Sequence, residues 1–560
     1  MEQVRTVNVG IIGLGTVGGG CARLIAKHRD SYRKAYGVDL ALRRACARHP
    51  ERARELGLSE GVFTTDWHEV TADPAVDIVI EVIGGEHPAR EIILDAIAHG
   101  KHVVTANKSL LGQQVDELAD AAAAAGVQIR CEAACAGGIP IVNALEHALV
   151  GNEILTIAGI MNGTTNYILS RMDAEGLDFA EVLAQAQELG YAEADPTADV
   201  DGFDAAAKLA ILSSIAFHTR VTTADIACEG IRGVSAADIE QARALGMKIK
   251  LLACGRKTER GVDVRVHPAM IPSGHQLAAV SGAMNAVIAV GDAVGETMFY
   301  GAGAGAFPTA SAVVGDALEL AWPLARGIAA PAEREPYGRV EPIVPIEELE
   351  TRFYLRLRVR DRAGALAPVV AAFAEAGISV SDINQVADHA SAGQAGVGGT
   401  ADMAAAADVE GAASVGAGAD TAADFDAVAS SGVATGTAAG GADTVVAAGA
   451  GADPVTAADI ETAVDNETGA THAGASAGDA TENGAGSAVA AGTSAHGEAI
   501  PTGAEAVEET CSVVFLTHRA RQRDMDAVCH RLAHLSEVAE VASVIRIEDV
   551  ERWCDGVEAN

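Results

Sequence analysis

Apolar and polar positions change rhythm repeatedly along this chain. Thr6–Ile12 alternates and then runs apolar, as a strand buried on both faces does, and Gly13-Leu14-Gly15-Thr16-Val17-Gly18 follows directly with a helix behind it. Further apolar runs of strand length stand at residues 39–47, 77–83, 101–105 and 127–131, separated by helical stretches such as 88–98 and 116–125. Strands alternating with helices predict an α/β fold, a Rossmann-type doubly wound parallel sheet forming a dinucleotide-binding domain over residues 1–150.

Residues 151–325 read as a second, mixed α/β domain that binds substrate, with strands near 154–161, 249–253 and 262–268 and helices near 179–189 and 203–216. A proline-bearing linker and return segment is expected at 326–349. A period-2 strand at 352–360, a helix at 365–376 and a strand at 379–386 come next, and there the pattern stops. Residues 387–507 collapse to Ala, Gly, Asp, Thr and Ser, with seventeen acidic residues and no Lys or Arg. Such a segment cannot bury enough apolar surface to offset its ordering entropy, so it reads as a disordered acidic insertion. Strand, helix and strand resume at Thr510–Thr517, 524–535 and 541–547. Residues 350–386 and 508–550 thus predict one ferredoxin-like domain whose central hairpin is stretched by the insertion. Loop-closure entropy permits that because it grows only logarithmically with length.

The totals change the picture at three points. A formal charge of −37 argues against a nucleic-acid partner, which would need clustered Lys and Arg against phosphates, and suggests a surface suited to high salt. The nine cysteines include no CxxC pair, so reduced thiols are expected. With no long uncharged apolar run and no basic n-region ahead of an apolar h-region, the sequence predicts a soluble cytoplasmic protein without a membrane partner.

Candidate chemistry begins at the first strand-to-helix turn. Gly13 allows the tight turn, Gly15 lets the backbone approach a pyrophosphate, and Gly18 packs helix on strand, with Thr16 and Val17 opening the helix whose amides face the phosphates. The acidic residue that would bind adenine ribose hydroxyls is missing after the second strand. Arg48 stands there instead, a residue that suits a 2′-phosphate as well as a solvated loop, so NADP is favoured over NAD. Asn107 and Lys108 follow a strand at the carboxyl edge of the sheet, where they can meet nicotinamide or substrate. Residues 190–208 place Glu193, Asp199 and Asp204 in a turn-rich loop ahead of an apolar helix carrying Lys208. Asp204 and Lys208 are four apart and share a helical face. As a bare pair they would be a surface salt bridge. On a mostly buried helix, a lysine held by carboxylates can donate a proton to a carbonyl oxygen as hydride arrives.

TANK (105–108), EAACAGGIPI (132–141), GIMNGTTNYIL (159–169), GYAEADPTADVDGFDAAAKL (190–209) and GAGAGAFPTASAVVGD (301–316) together resemble homoserine dehydrogenase in order and spacing. The resemblance covers residues 1 to about 386 and 508 to about 548. It implies reduction of aspartate semialdehyde to homoserine with NADP or NAD, a step toward threonine, methionine and isoleucine. It also implies Lys208 as proton donor, Lys108 as its assistant at cofactor and substrate, and Asp204 in support. Glu193 and Asp199 would bind substrate, with Gly163 and Thr164 near it, and Gly303 would contact the nicotinamide. A monovalent cation, sodium or potassium, would be held by Glu132 and the carbonyls of Cys135, Gly137 and Ile139, although Glu132 alone reads as a buried acid or a rim charge. Cys135 replaces the usual valine, which leaves a carbonyl ligand intact. The C-terminal unit resembles an ACT domain, implying threonine as effector and a homodimer or homotetramer. Its usual Pro-Gly turn is Ala363-Gly364 here. Two rival readings remain: an amino-acid-sensing protein on the same fold without turnover, and a C-terminal scaffold built around the acidic insertion.

Overall fold

The computed structural model describes residues 5–328, 341–386 and 509–557, so the expected insertion and much of the linker lie outside the described residues. Strand β1 (Thr6–Ile12) keeps Val7, Val9 and Ile11 fully buried. It is followed by β2 (Asp39–Cys46), β3 (Phe63–Thr64), β4 (Ile78–Glu81), β5 (His102–Thr105) and β6 (Ile129–Arg130). These six form one sheet in the order β3-β2-β1-β4-β5-β6 with every pair parallel. The order reverses between β1 and β4, and a crevice at the carboxyl ends of the strands opens where the connections diverge. The helix expected at 116–125 spans Lys108–Ala125. Asn107 caps it by accepting from the Leu110 amide at 3.3 Å. Gly112 within KSLLGQQV weakens the helical signal locally, yet it lets this helix come close to the helix Phe203–Phe217, since a Cβ on Gly112 would meet the Ala207 backbone at 3.4 Å.

Strands β7 (Ile154–Ile160), β8 (Ala227–Cys228), β9 (Met247–Thr258), β10 (Gly261–Pro272), β11 (Met284–Gly291) and β12 (Gly295–Ala302) build the second unit. The C-terminal unit contributes β13 (Glu350–Arg360), β14 (Val380–Val386), β15 (Thr510–Thr517), β16 (Ala520–Arg521) and β17 (Val538–Ile547). The two units share an eleven-stranded sheet, ordered β12-β11-β7-β9-β10-β17-β13-β15-β14, with β8 and β16 pairing off the main path. The joint is a short parallel pairing of β10 with β17, Ala269 to Arg546 and Met270 to Ile547. Within the C-terminal unit, β14 and β15 pair antiparallel as the hairpin the sequence expects. Phe353, Leu355, Leu357 and Val359 alternate onto one face of β13, where they are covered by Val369, Ala372 and Phe373 of one helix and Met525, Val528 and Leu532 of another.

After the second unit the chain returns to the first. Helix Ala306–Ala325 buries Ala310, Val313, Val314, Ala317 and Leu320 in the same core as Val7, Val9 and Ile11. It lies so close to helix Thr16–Tyr36 that a Cβ on Gly20 would meet the Ala306 carbonyl at 2.9 Å. All nine cysteines are free thiols. Among the described residues, no helix is long and apolar enough to cross a membrane.

Candidate active site

The glycine turn after β1 has the conformation its sequence demands. Gly13 has φ +104°, and a Cβ there would meet the Val82 carbonyl at 2.7 Å. A Cβ on Gly18 would collide with the Gly13 carbonyl, whereas Gly15 faces open space and, with Thr16, is exposed at the helix start. That open, amide-lined face fits a pyrophosphate. Arg43 and Arg44 are both engaged by Asp73. Arg48, just past β2, is exposed and has no ion pair among the described residues, which leaves its charge free for a ligand phosphate.

Lys208 and Lys108 converge on one carboxylate. Lys208 Nζ donates to Asp204 Oδ2 at 2.7 Å and to the Met161 carbonyl at 2.6 Å, and the lysine is 6% exposed. Lys108, at the start of its own helix, pairs with Asp204 Oδ1 while its side chain stays partly exposed. Burial by itself would raise the Asp204 carboxyl, but the two ammonium groups outweigh it and hold the group well below the usual carboxylate range. Burial correspondingly lowers Lys108, and Asp204 more than reverses that, so the ammonium form is favoured.

Asn162 completes this cluster, and the sequence reading did not single it out. Its Nδ2 donates to Asp199 Oδ1 at 2.7 Å and to Asp204 Oδ2 at 2.9 Å, while Oδ1 accepts from the Thr165 amide at 2.8 Å and caps helix Gly163–Glu175. The Asn-Gly-Thr-Thr order at 162–165 carries the signature of such a cap. A second overlooked residue is Glu81 at the end of β4, fully buried, which accepts from Thr105 Oγ1 at 2.7 Å. Around the cleft, Thr164 Oγ1 donates to the Tyr191 carbonyl at 2.9 Å, and Gly163 lies against the Ala283 carbonyl. Asp199 is therefore brought to the lysine cluster through Asn162. Glu193 sits on the exposed loop nearby, touched by Gln187 at its backbone carbonyl.

Glu132 is 6% exposed, and its two oxygens accept from the Val142 and Asn143 amides at 3.0 and 2.7 Å. Burial, reinforced by Glu146 and opposed by those amides, pushes its carboxyl up to about 7. The following loop turns through Ala136 and Gly137, both with positive φ, and packs on Gly303. A desolvated carboxylate beside a carbonyl-rich turn fits a hard monovalent cation. Cys135 Sγ lies 3.9 Å from the Lys208 carbonyl, so this loop abuts helix Phe203–Phe217.

A family model for homoserine dehydrogenase matches residues 140–318, one for the homoserine dehydrogenase NAD-binding domain matches 13–132, and one for the ACT domain matches 353–415. Homoserine dehydrogenase of Mycobacterium tuberculosis is 47% identical over 386 residues, spanning 68% of this chain and 87% of its own. That of Synechocystis is 45% identical over 399 residues, spanning 68% and 89%. The crystal structure of a homoserine dehydrogenase from Thiobacillus denitrificans covers 98% of this chain and 99% of its own at 34% identity, with a TM-score of 0.73. The Staphylococcus aureus enzyme covers 69% and 90% at 35% identity, with a TM-score of 0.57. With its nucleotide-binding turn, its lysine pair on Asp204 and its C-terminal ACT domain, the chain belongs to the homoserine dehydrogenase family.

Proposed function

We propose that the chain reduces L-aspartate 4-semialdehyde to L-homoserine with NADPH in preference to NADH, and that threonine acts on it through the ACT domain. The observation that carries the reading is Lys208 Nζ, fixed between Asp204 and the Met161 carbonyl beside a second lysine. When bound, the reduced nicotinamide supplies hydride to the aldehyde carbon. Lys208 gives its proton to the carbonyl oxygen as that oxygen gains charge, which yields the alcohol. Asp204 orients Lys208 and Lys108 together, and Lys108 places a further positive charge beside the reacting oxygen. Asp199 and Glu193 hold the substrate ammonium, with Gly163 and Thr164 lining the same cleft. The glycine turn from Gly13 to Gly18, including Thr16 and Val17, holds the pyrophosphate. Gly303 meets the nicotinamide. Arg48 takes the 2′-phosphate, a role supported by its having no ion pair among the described residues.

Glu132 with the carbonyls of Cys135, Gly137 and Ile139 would hold sodium or potassium, which supplies positive charge to a loop packed on both the catalytic helix and Gly303. Steady-state rates with NADPH and NADH, with and without threonine, test the proposal. Turnover favouring NADPH, with an Arg48→Ala protein losing that preference, supports it. Absence of turnover with either cofactor overturns it in favour of an amino-acid sensor.

A further inference from the structure

Asn285, the second residue of β11, is wholly buried, and neither Oδ1 nor Nδ2 has a hydrogen-bond partner among the described residues. Buried amides are almost always paired, with protein or with water, so a carboxamide that no protein group meets is open to a partner brought to it in another state of the molecule. Its neighbours are two glycines of the active site. A Cβ on Gly303 would lie 2.2 Å from the Asn285 Cγ and Nδ2, and one on Gly163 would lie 3.4 Å from Oδ1. The carboxamide is thus wedged between the segment assigned to the nicotinamide and the segment assigned to the substrate.

The two sides of this wedge are held very differently. Asn166 Nδ2 donates to the carbonyls of Val280, Gly282 and Met284 at 3.3, 3.0 and 3.1 Å. Lys250 Nζ, also buried, braces the same frame by donating to Asn166 Oδ1 at 3.0 Å and to the Val280 carbonyl at 2.6 Å. These bonds tie residues 280–284 to helix Gly163–Glu175 and leave Asn285 on a fixed support. The ladder of β11 with β12 ends at Met284 with Ala302, so residues 303–305 lie beyond it, partly exposed and holding two glycines.

We infer that Asn285 is a positioning residue for the cofactor: on nicotinamide binding, residues 303–305 turn their peptide groups onto its carboxamide, which pins them over the ring. This rests on the assignment of Gly303 to the nicotinamide made above. No ligand reaches Asn285 directly, because the side chain is fully covered, so it acts through the glycine segment. Its hydrogen bonds form only in the loaded enzyme. Their free energy therefore appears in cofactor binding and turnover and is withheld from the stability of the free protein.

That division gives the full-length chain a readout a purely structural asparagine would not produce. Asn285→Leu keeps the number and branching of side-chain heavy atoms and removes the unpaired polar atoms. Its cofactor-free melting temperature is expected to equal or exceed that of the wild type, while its NADPH dissociation constant rises about tenfold, the worth of one or two buried hydrogen bonds. Its kcat should fall with it, the KM for aspartate semialdehyde should stay within about threefold, and Asn285→Ser should recover part of the cofactor affinity. In the wild type, saturating NADP+ should slow amide hydrogen exchange at residues 301–306 at least tenfold, and this measurement decides the matter if Asn285→Leu does not fold. A wild type that binds NADP+ without that protection overturns the inference and leaves the assigned reaction intact. An Asn285→Leu protein that folds and keeps its NADPH affinity overturns it as well. Failure of the wild type to turn over would instead strike the reaction, since the exchange measurement needs cofactor binding alone.

Discussion

Lys208 and Asp204 stand one helical turn apart on helix Phe203–Phe217 and meet at 2.7 Å inside the protein, where neither side chain is more than 8% exposed. A buried ion pair at this spacing contributes to the fold only if it has further polar partners, and here Met161 accepts from Lys208, Asn162 donates to Asp204 Oδ2, and Lys108 places its charge against Asp204 Oδ1. Lys208→Met keeps the apolar stem and removes the proton. The carboxylate that remains still has Lys108 and Asn162, so the protein should fold. Its kcat should drop by about 10²–10⁴, the usual worth of a positioned general acid. NADPH affinity, measured by fluorescence titration, should stay within about threefold. Normal turnover in a folded Lys208→Met protein removes it as proton donor.

The Glu132 carboxyl makes the opposite kind of prediction. Its folded pKa, about 7, lies above the value near 4.5 expected of an unfolded chain. The folded state therefore holds the proton more tightly. The associated stability is fully present below about pH 4.5 and is lost as pH climbs toward 7. A bound cation would replace the proton and cancel that loss. In choline chloride, the wild type should melt at progressively lower temperature than Glu132→Gln as pH rises from 5 to 8. Sodium or potassium chloride at equal ionic strength should restore the wild type at pH 8, do little at pH 5, and leave Glu132→Gln unmoved. Equal melting of the wild type in all three salts at pH 8 would dismiss the cation site.

Much of this arrangement is readable in the sequence, and what is not has a common cause. The glycine turn, the strands around it and the Asp204–Lys208 pair are local, written in alternation or in spacing of a few residues. Helix Ala306–Ala325 lacks that clarity. It opens on a glycine run, holds Pro308 and Gly315, and gains its burial from residues near the start of the chain. Asn162 meets Asp199 and Asp204, 37 and 42 positions away, so its cap is legible but its place at the lysines is not. The shared sheet is hidden for the same reason, because β10 and β17 pair over two residues contributed by distant parts of the chain.

The charge of −37 bears on stability through self-repulsion among acids that salt screens. The Debye length falls from about 10 Å at 0.1 M to about 3 Å at 1 M, so repulsion between neighbouring carboxylates fades over that range. Melting temperature and activity should both rise from about 0.1 M to about 1 M KCl. Removing residues 387–507, with seventeen acids and no Lys or Arg, should reduce that rise if the insertion shares in the repulsion and leave it unchanged if the folded surface alone is responsible. Equal stability and activity of the full chain at both concentrations would reject the high-salt reading.

Arg265 binds the two halves of the large sheet through Glu548, and its removal should show the asymmetry of buried ion pairs. Its Nη2 donates to Glu548 Oε1 at 2.8 Å across the β10–β17 joint, its other nitrogens reach Asp263 and His267, and both Arg265 and Glu548 are buried. Burial would raise Glu548, yet Arg265 and then His267 hold it well below the usual range. The stability this pair supplies is therefore fully present above the unfolded pKa and is lost as pH falls below it and through the folded pKa. Cys254, His267 and Glu548 come within 4.8 Å of one another, but the guanidinium already occupies the carboxylate and disfavours a metal cation there. Arg265→Met strands two buried carboxylates, at a cost of about 3–5 kcal/mol. Glu548→Gln leaves the arginine paired with Asp263 and should cost less. The double variant Arg265→Met with Glu548→Leu should recover part of the loss, because it removes one stranded charge along with its partner. Urea midpoints of the three proteins at pH 7 check the order, and a double variant no more stable than Arg265→Met would show that the joint is held by packing and not by this pair.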